Sequence, residues 1–275
     1  MLHAACSNTV QHITSGDFDR IATWLRETAG INLSPQKKPL VMGRLAPRVR
    51  HYGLDSYGAY VELLLGGSQP DELQIALDLL TTNETHFFRE PRHFDLLKTV
   101  IAPQRQRTGL MRVWSAASSS GEEPYSIAMT LAATLGDTPW EVLASDVSRR
   151  MLQRAAAGHY PMSRARSIPS AYLFSYCLKG IGSQEGTFII DPDVRKKVQF
   201  RQLNLVHDLP PIGEFEVIFL RNVMIYFDDQ TKRKVLRRAI SRLPGGGYLI
   251  IGHSESLNGL TDEVSLVAPS IYRKP

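Results

Sequence analysis

Two adjacent carboxylates stand where a doubly wound fold would hold a phosphate. Residues Ser115–Gly121 are a run of small side chains followed directly by Glu122 and Glu123. Small residues let backbone approach a ligand closely, and a helix starting there offers its N-terminal N–H groups. A dinucleotide site would carry a GxGxxG pattern at this turn to hold a pyrophosphate. This turn has one glycine and two acids, which repel a pyrophosphate and suit a cation such as a sulfonium or an α-ammonium group. Asp146 follows about 25 residues later, near where such folds place an acid for ribose hydroxyls. Asn204 follows the strand-like Val198–Arg201, where an amide could meet an adenine edge. Each feature has a plainer reading: a tight βα turn, acids complementing a helix N-terminus, an aspartate capping the next helix. Together and in this order, with Arg221-Asn222 ending a later strand, they favour a nucleoside-bearing, positively charged ligand.

The elements that must position these residues follow from patterning. Met111–Ala116 reads as a strand, Glu122–Leu135 as a helix, Trp140–Ala144 as a strand ending at Ser145-Asp146, and Ser148–Ala157 as a helix. Glu216–Leu220 is a buried strand ending at Arg221-Asn222, followed by a helix over Asp229–Leu243 and a strand over Tyr248–Ile251. Strands alternating with helices predict a parallel sheet covered on both faces, with ligands beyond the carboxyl ends of the strands. Residues 160–198 break the rhythm. Gly180, Gly182 and Gly186, then Thr187–Ile190 and Lys197–Phe200, predict a small antiparallel insertion. Residues 1–16 read as a loose leader. Helices are expected over Phe18–Ala29 with Asp17 as cap, from about Lys38 to Gly53, from a cap at Asp55 or Ser56 through Leu65, and over Asp71–Leu80. The fold class is therefore α/β: a small N-terminal all-helical domain over 17–85, a linker and helix over 86–108, and the sheet domain over 109–275 with its β-subdomain insertion.

Charge is unevenly placed. The net charge is +5, but Ser34–Tyr52 holds five basic side chains (Lys37, Lys38, Arg44, Arg48, Arg50) and no acid. Such a patch predicts an acidic partner: nucleic acid, phosphate or an acidic protein surface. The longest apolar runs, such as Val217–Leu220, are strand-sized, so no membrane insertion is expected. Cys6 and Cys177 belong to no CxxC or Cys/His cluster, which argues against a disulfide framework or a zinc site. No secretory leader pattern is present, and a cytoplasmic protein is expected.

Four segments, in order, resemble a known family: Thr81-Thr82-Asn83-Glu84-Thr85-His86-Phe87-Phe88-Arg89-Glu90, Val113–Ser126, Arg221-Asn222-Val223-Met224-Ile225-Tyr226-Phe227, and Gly252-His253-Ser254-Glu255. They look like the CheR-type chemoreceptor glutamate O-methyltransferases, from about residue 17 to the C-terminus. The resemblance implies a class I (Rossmann-like) methyltransferase sheet. It implies methyl transfer from S-adenosylmethionine to glutamate γ-carboxylates on chemoreceptor cytoplasmic helices, giving methyl esters and S-adenosylhomocysteine in chemotaxis adaptation. Implied cofactor contacts fall on Asn83, Thr85, Arg89, Glu123, Asp146, Asn204, Leu205, Arg221 and Asn222. Asp146 would take the ribose hydroxyls, Leu205 would line the adenine pocket, and Asn83–Arg89 would close over the methionine end. Arg89 and Tyr226 are the candidates for orienting the incoming carboxylate.

This chemistry needs no base. A glutamate is already ionised at neutral pH, so methyl transfer rests on alignment and desolvation. The resemblance places receptor recognition on the basic helix, with Lys37, Arg44, Arg48 and Arg50 as the binding set. Lys37, Arg44 and Arg48 are spaced by seven and four and so share a helical face. Pro47 stands where the family tends to place another basic residue, and a proline there can kink the helix. The run Gly180–Gly186 resembles the loop of members whose β-subdomain docks a receptor C-terminal tether peptide by adding a strand. Leu220 and Ser118 replace cysteines often seen in the family, and neither position needs a thiol. A nucleic-acid amino-methyltransferase would carry an Asn/Asp-Pro-Pro-aromatic motif where Arg221-Asn222-Val223-Met224 stands, so no nucleic-acid partner is expected. The other alternative is a non-catalytic module that senses S-adenosylmethionine.

Overall fold

The computed structural model describes residues 12–67, 69–105 and 109–275; most of the expected leader, with Cys6, lies outside them. The chain divides into two compact units between Thr82 and Asn83. The described residues of the first hold four α-helices: α1 (Ser15–Ala29), α2 (Lys38–His51), α3 (Tyr57–Leu65) and α4 (Pro70–Leu80). Helix α1 starts earlier than predicted because Thr14, not Asp17, is the cap. The Asp17 N–H donates to the Thr14 hydroxyl at 3.1 Å, and the Asp17 carboxylate accepts the Thr14 N–H at 3.3 Å, a reciprocal capping box. Ser56 caps α3 as predicted. Apolar residues at helical spacing face inward: Phe18, Ile21 and Leu25 from α1, Val41, Leu45 and Val49 from α2, Tyr60, Val61 and Leu64 from α3. Helix α2 runs on through Pro47, which is exposed, so the proline does not end it.

The second unit opens with an irregular segment, then α5 (Arg92–Leu96), a π-turn over Leu97–Ile101 and α6 (Ala102–Arg105). Next come β1 (Met111–Ser115), α7 (Glu122–Leu135), β2 (Trp140–Asp146) and α8 (Arg149–Ala157). A smaller region follows with β3 (His159–Pro161), α9 (Ser170–Tyr176), β4 (Cys177–Lys179), β5 (Thr187–Ile190) and α10 (Pro192–Arg195). The chain finishes with β6 (Val198–Gln202), β7 (Val217–Leu220), α11 (Asp229–Ile240), β8 (Tyr248–Ile251), β9 (Ser265–Ala268) and β10 (Ile271–Arg273). The main sheet has seven strands in the order β6-β2-β1-β7-β8-β10-β9. The first five are parallel; β10 runs antiparallel to both β8 and β9. Every residue of β7 and β8 is buried, as befits central strands covered on both faces. Strand order reverses at β1, so the carboxyl ends of β1 and β7 form the switch point.

Two expectations need correction. The small antiparallel sheet is β3-β5-β4, and it does not include residues 197–200. Residues 198–200 lie in β6, which pairs in parallel with β2 (Val142↔Val198) and forms one edge of the main sheet, and Lys197 leads into it. The sheet is also mixed, because β9 and β10 turn back along its other edge. Their short runs on either side of Pro269 carry too little periodicity to be read as strands.

Candidate active site

The small-residue turn after β1 reaches α7 through two left-handed residues, Ser119 at φ 47° and Gly121 at φ 97°. A Cβ on Gly121 would lie 2.8 Å from both the Ala155 Cβ and the Tyr160 hydroxyl, so only glycine fits against α8. The turn is held from several sides. Asp146 accepts the Ser119 N–H at 2.8 Å through one carboxylate oxygen and the Ser148 N–H at 2.9 Å through the other. The helix cap itself is Ser148, so Asp146 clasps the β1 and β2 turns together. The Tyr160 hydroxyl donates to the Ser120 carbonyl at 2.7 Å. Ser118 Oγ is buried with no hydrogen-bond partner among the described residues.

The two acids have different surroundings. Glu122 is buried beside the Ser120 hydroxyl and 3.4 Å from Arg164. Glu123 accepts the Ser115 hydroxyl at 2.7 Å and pairs with Arg221 at 2.8 Å. Arg221, almost fully buried at the end of β7, also reaches Glu90 at 3.0 Å and the Arg89 carbonyl at 2.5 Å. Its Nε has no partner among the described residues. One guanidinium thus serves two carboxylates. Burial pushes the Glu123 carboxyl above its ordinary value, against the pull of Arg221 and Ser115. Glu90 moves the other way: burial raises it, but the Arg221 charge and hydrogen bond outweigh that and hold it low.

A third acid organises the turn after β7. Glu255 accepts four backbone N–H groups: Gly252 at 2.7 Å, Asn222 at 2.9 Å, Val223 at 3.1 Å and Met224 at 2.8 Å. These bonds hold Asn222 in the left-handed region at φ 56° and fix the short turn Met224–Tyr226, on which Tyr226 is half-buried. The Asn222 amide lies so close to Gly252 that a side chain there would collide with it.

Residues 83–90 are stitched over the same strand ends. Ser119 Oγ donates to the Asn83 carbonyl at 3.0 Å, Arg164 to the Thr85 carbonyl at 2.7 Å, and the Phe88 N–H to Ser126 Oγ at 2.9 Å. Phe88 and Glu90 both have positive φ, 52° and 60°. Arg89 therefore rides on a pinned turn with its side chain half-buried, its guanidinium donating to the Glu84 carbonyl at 3.2 Å. Asn204 and Leu205 follow β6 next to Asp146, whose carbonyl accepts the Leu203 N–H at 3.1 Å. Asn204 accepts the Val206 N–H through its side chain, and Leu205 is buried. The structure thus gathers Asn83, Thr85, Arg89, Glu123, Asp146, Arg221 and Asn222 around the ends of β1, β2 and β7. Glu90 and Glu255 lie inside the matching motifs, but Glu90 pairs with the far-off Arg221 and Glu255 with the amides of Asn222–Met224 on another turn, so no local spacing shows their roles.

The basic set separates. Lys37 and Arg50 are exposed, but Arg44 and Arg48 turn inward. Arg44 donates to the Leu80 and Thr81 carbonyls at 2.7 and 3.0 Å, closing the end of α4. Arg48 forms a two-pronged pair with buried Glu72, at 2.9 and 2.5 Å. The shared helical face predicted for Lys37, Arg44 and Arg48 is therefore not a continuous solvated one, because α4 supplies partners that the local spacing does not show.

The cluster at the switch point suits a cationic cofactor. Glu90 and Glu123 together bring more negative charge than Arg221 neutralises, and a buried carboxylate that resists ionising alone is stabilised by a nearby cation. The unpartnered Ser118 hydroxyl adds a polar group in the turn. Residues 83–272 match the family described as "CheR methyltransferase, SAM binding domain", and residues 16–81 match "CheR methyltransferase, all-alpha domain". A "chemotaxis protein methyltransferase" of Salmonella typhimurium is 40% identical over 265 residues, covering 94% of this chain and 90% of that protein. Its Escherichia coli counterpart is 40% identical with 94% and 91% coverage, and "chemotaxis protein methyltransferase 2" of Pseudomonas aeruginosa is 39% identical with 95% and 94% coverage. These matches lend no support to a non-catalytic sensor. The cofactor is S-adenosylmethionine, and the chain belongs to the CheR methyltransferase family.

Proposed function

We propose that this protein methylates glutamate γ-carboxylates on the cytoplasmic helices of chemoreceptors, producing methyl esters. The observation that carries the reading is the acid-rich cluster of Glu90, Glu123 and Arg221 at the switch point of a sheet belonging to this family. S-adenosylmethionine supplies an electrophilic methyl on a sulfonium and leaves as S-adenosylhomocysteine. In this reading Asp146 takes the ribose hydroxyls with the lone pairs that its two backbone bonds leave, and Leu205 lines the adenine face. Glu123 and Arg221 hold the charge balance, while the Asn83–Arg89 turn excludes water from the methionine end. Arg89 and Tyr226 orient the incoming carboxylate; a guanidinium and a phenol can grip its oxygens without taking a proton from it. Arg221 fixes the Arg89 backbone, and Glu255 fixes the turn bearing Tyr226, so both stand on rigid supports.

Receptor recognition falls to the exposed Lys37, on the turn before α2, and Arg50, in the last turn of α2, while Arg44 and Arg48 anchor that helix. The β-subdomain offers a second contact. Strand β4 is an edge of its sheet, and Phe174, Leu178 and Ile181 nearby are exposed, at 91%, 50% and 83%. This apolar edge supports docking of a receptor tether peptide by strand addition, next to Gly180–Gly186. The test is incubation with methyl-labelled S-adenosylmethionine and receptor-containing membranes. Base-labile label on receptor glutamates is expected; base-stable label, or none, would overturn the reading.

A further inference from the structure

Glu90, His93 and His253 bring three potential metal-ligating atoms together beside the Arg221 cluster. His93 Nδ1 lies 3.5 Å from Glu90 Oε2, His253 Nε2 lies 3.9 Å from the same oxygen, and all three ligand atoms fall within 4.8 Å of one another. Tetrahedral zinc with bonds of about 2.0–2.1 Å sets its ligand atoms roughly 3.4 Å apart, which the His93–Glu90 pair already matches. The His253 ring is about half exposed and can close the remaining distance.

The ring of His93 is fully buried, and its Nδ1 has no hydrogen-bond partner among the described residues. Its other nitrogen lies 3.0 Å from Ser270 Oγ, a contact that fixes the ring and turns Nδ1 toward the Glu90 carboxylate. In the neutral tautomer that donates from Nε2, the Nδ1 lone pair is offered to a cation held jointly with Glu90. Outer partners are also present, as metal sites require. His93 Nε2 contacts the Ser270 hydroxyl, and Glu90 accepts from Arg221 and from the His253 N–H at 3.2 Å.

We propose that Glu90, His93 and His253 bind one divalent cation of the zinc class, clasping the turn before α5 to the loop after β8. Two imidazoles and a carboxylate suit such an ion, and solvent completes its shell. The sequence argued against zinc because its cysteines have no partners. A cysteine-free site whose histidines lie 160 residues apart leaves no spacing signature.

The experiment uses the full chain, stripped with a chelator and free of S-adenosylmethionine. Zinc chloride is titrated by calorimetry, and cobalt(II) in parallel by visible spectroscopy. One equivalent should bind, with ligand-field bands of four- or five-coordinate cobalt. His253→Gln should weaken binding by about 100-fold and Ser270→Ala by about 10-fold, while His207→Gln, at an exposed site elsewhere, should leave it unchanged. Far-UV circular dichroism checks that each variant is folded. Failure of the unaltered protein to bind one equivalent, or undiminished binding by His253→Gln, would overturn the proposal.

Discussion

Arg48 and Arg221 are both set against buried glutamates, and they differ in how fully the charges are matched. Arg48 meets one carboxylate, and Glu72 is then completed by the Tyr60 hydroxyl at 2.6 Å and the Tyr52 hydroxyl at 3.1 Å. Arg221 meets two carboxylates and leaves its own Nε without a partner among the described residues. The first arrangement is closed: nothing else is needed to satisfy it, and it holds helices together. The second is open: it carries surplus negative charge at a switch point, which is why we propose that the cofactor completes it. Charge alone therefore does not separate the two arginines; the completeness of the match does.

The largest expected effect follows from breaking the open cluster. Arg221→Ala leaves two buried carboxylates without their cation. It should destabilise the protein by about 3–5 kcal/mol and abolish S-adenosylmethionine binding in calorimetry. Binding at ordinary affinity would show that the cluster does not face the cofactor. Arg48→Ala should cost about 3 kcal/mol in urea unfolding, since Arg48 keeps some solvent contact, and S-adenosylmethionine affinity should not change. A loss of cofactor binding in this variant would erase the distinction between the two arginines. Reversing the exposed pair, with Lys37→Glu and Arg50→Glu together, should raise the KM for receptor several-fold, more at low salt, and leave cofactor binding alone. The smallest effect is one of pH. Burial alone would raise the Glu72 carboxyl, but its bonds to Arg48 and Tyr60 hold it below the ordinary value of 4.5. Its contribution to stability is therefore fully present above about pH 5 and is lost as pH falls through the lowered folded value. Denaturant titrations between pH 7 and pH 3 should show this loss, and Glu72→Gln should flatten it.

Much of this was legible because it is local. The helices of the first unit announce themselves through capping residues and apolar spacing, and β1, β2, β7 and β8 through short buried runs. The turn from Ser115 to Glu123 also showed its chemistry, since one glycine and two acids exclude a pyrophosphate. What stayed hidden was every pairing between distant residues. Arg44 and Arg48 look like a solvated basic face until α4 brings Glu72 and the Leu80 carbonyl against them. Residues 197–200 read as part of the insertion because only the register with β2 shows which sheet they join. Asp146 reads alone as a helix cap and, with its neighbours, as a ribose ligand; in the structure Ser148 is the cap and Asp146 clasps two turns, a pairing that the local sequence does not show.

Glu255 has a kinetic consequence. Its carboxylate secures the amides of Gly252, Asn222, Val223 and Met224, so these protons are released together or not at all. In hydrogen exchange they should behave as one slow unit whose opening is a single event. Burial raises the Glu255 carboxyl, although the N–H groups oppose that rise. A turn governed by one latch has no graded looseness. With the turn held in one shape between openings, cofactor association should proceed without a slow ordering phase, which stopped-flow binding would read directly.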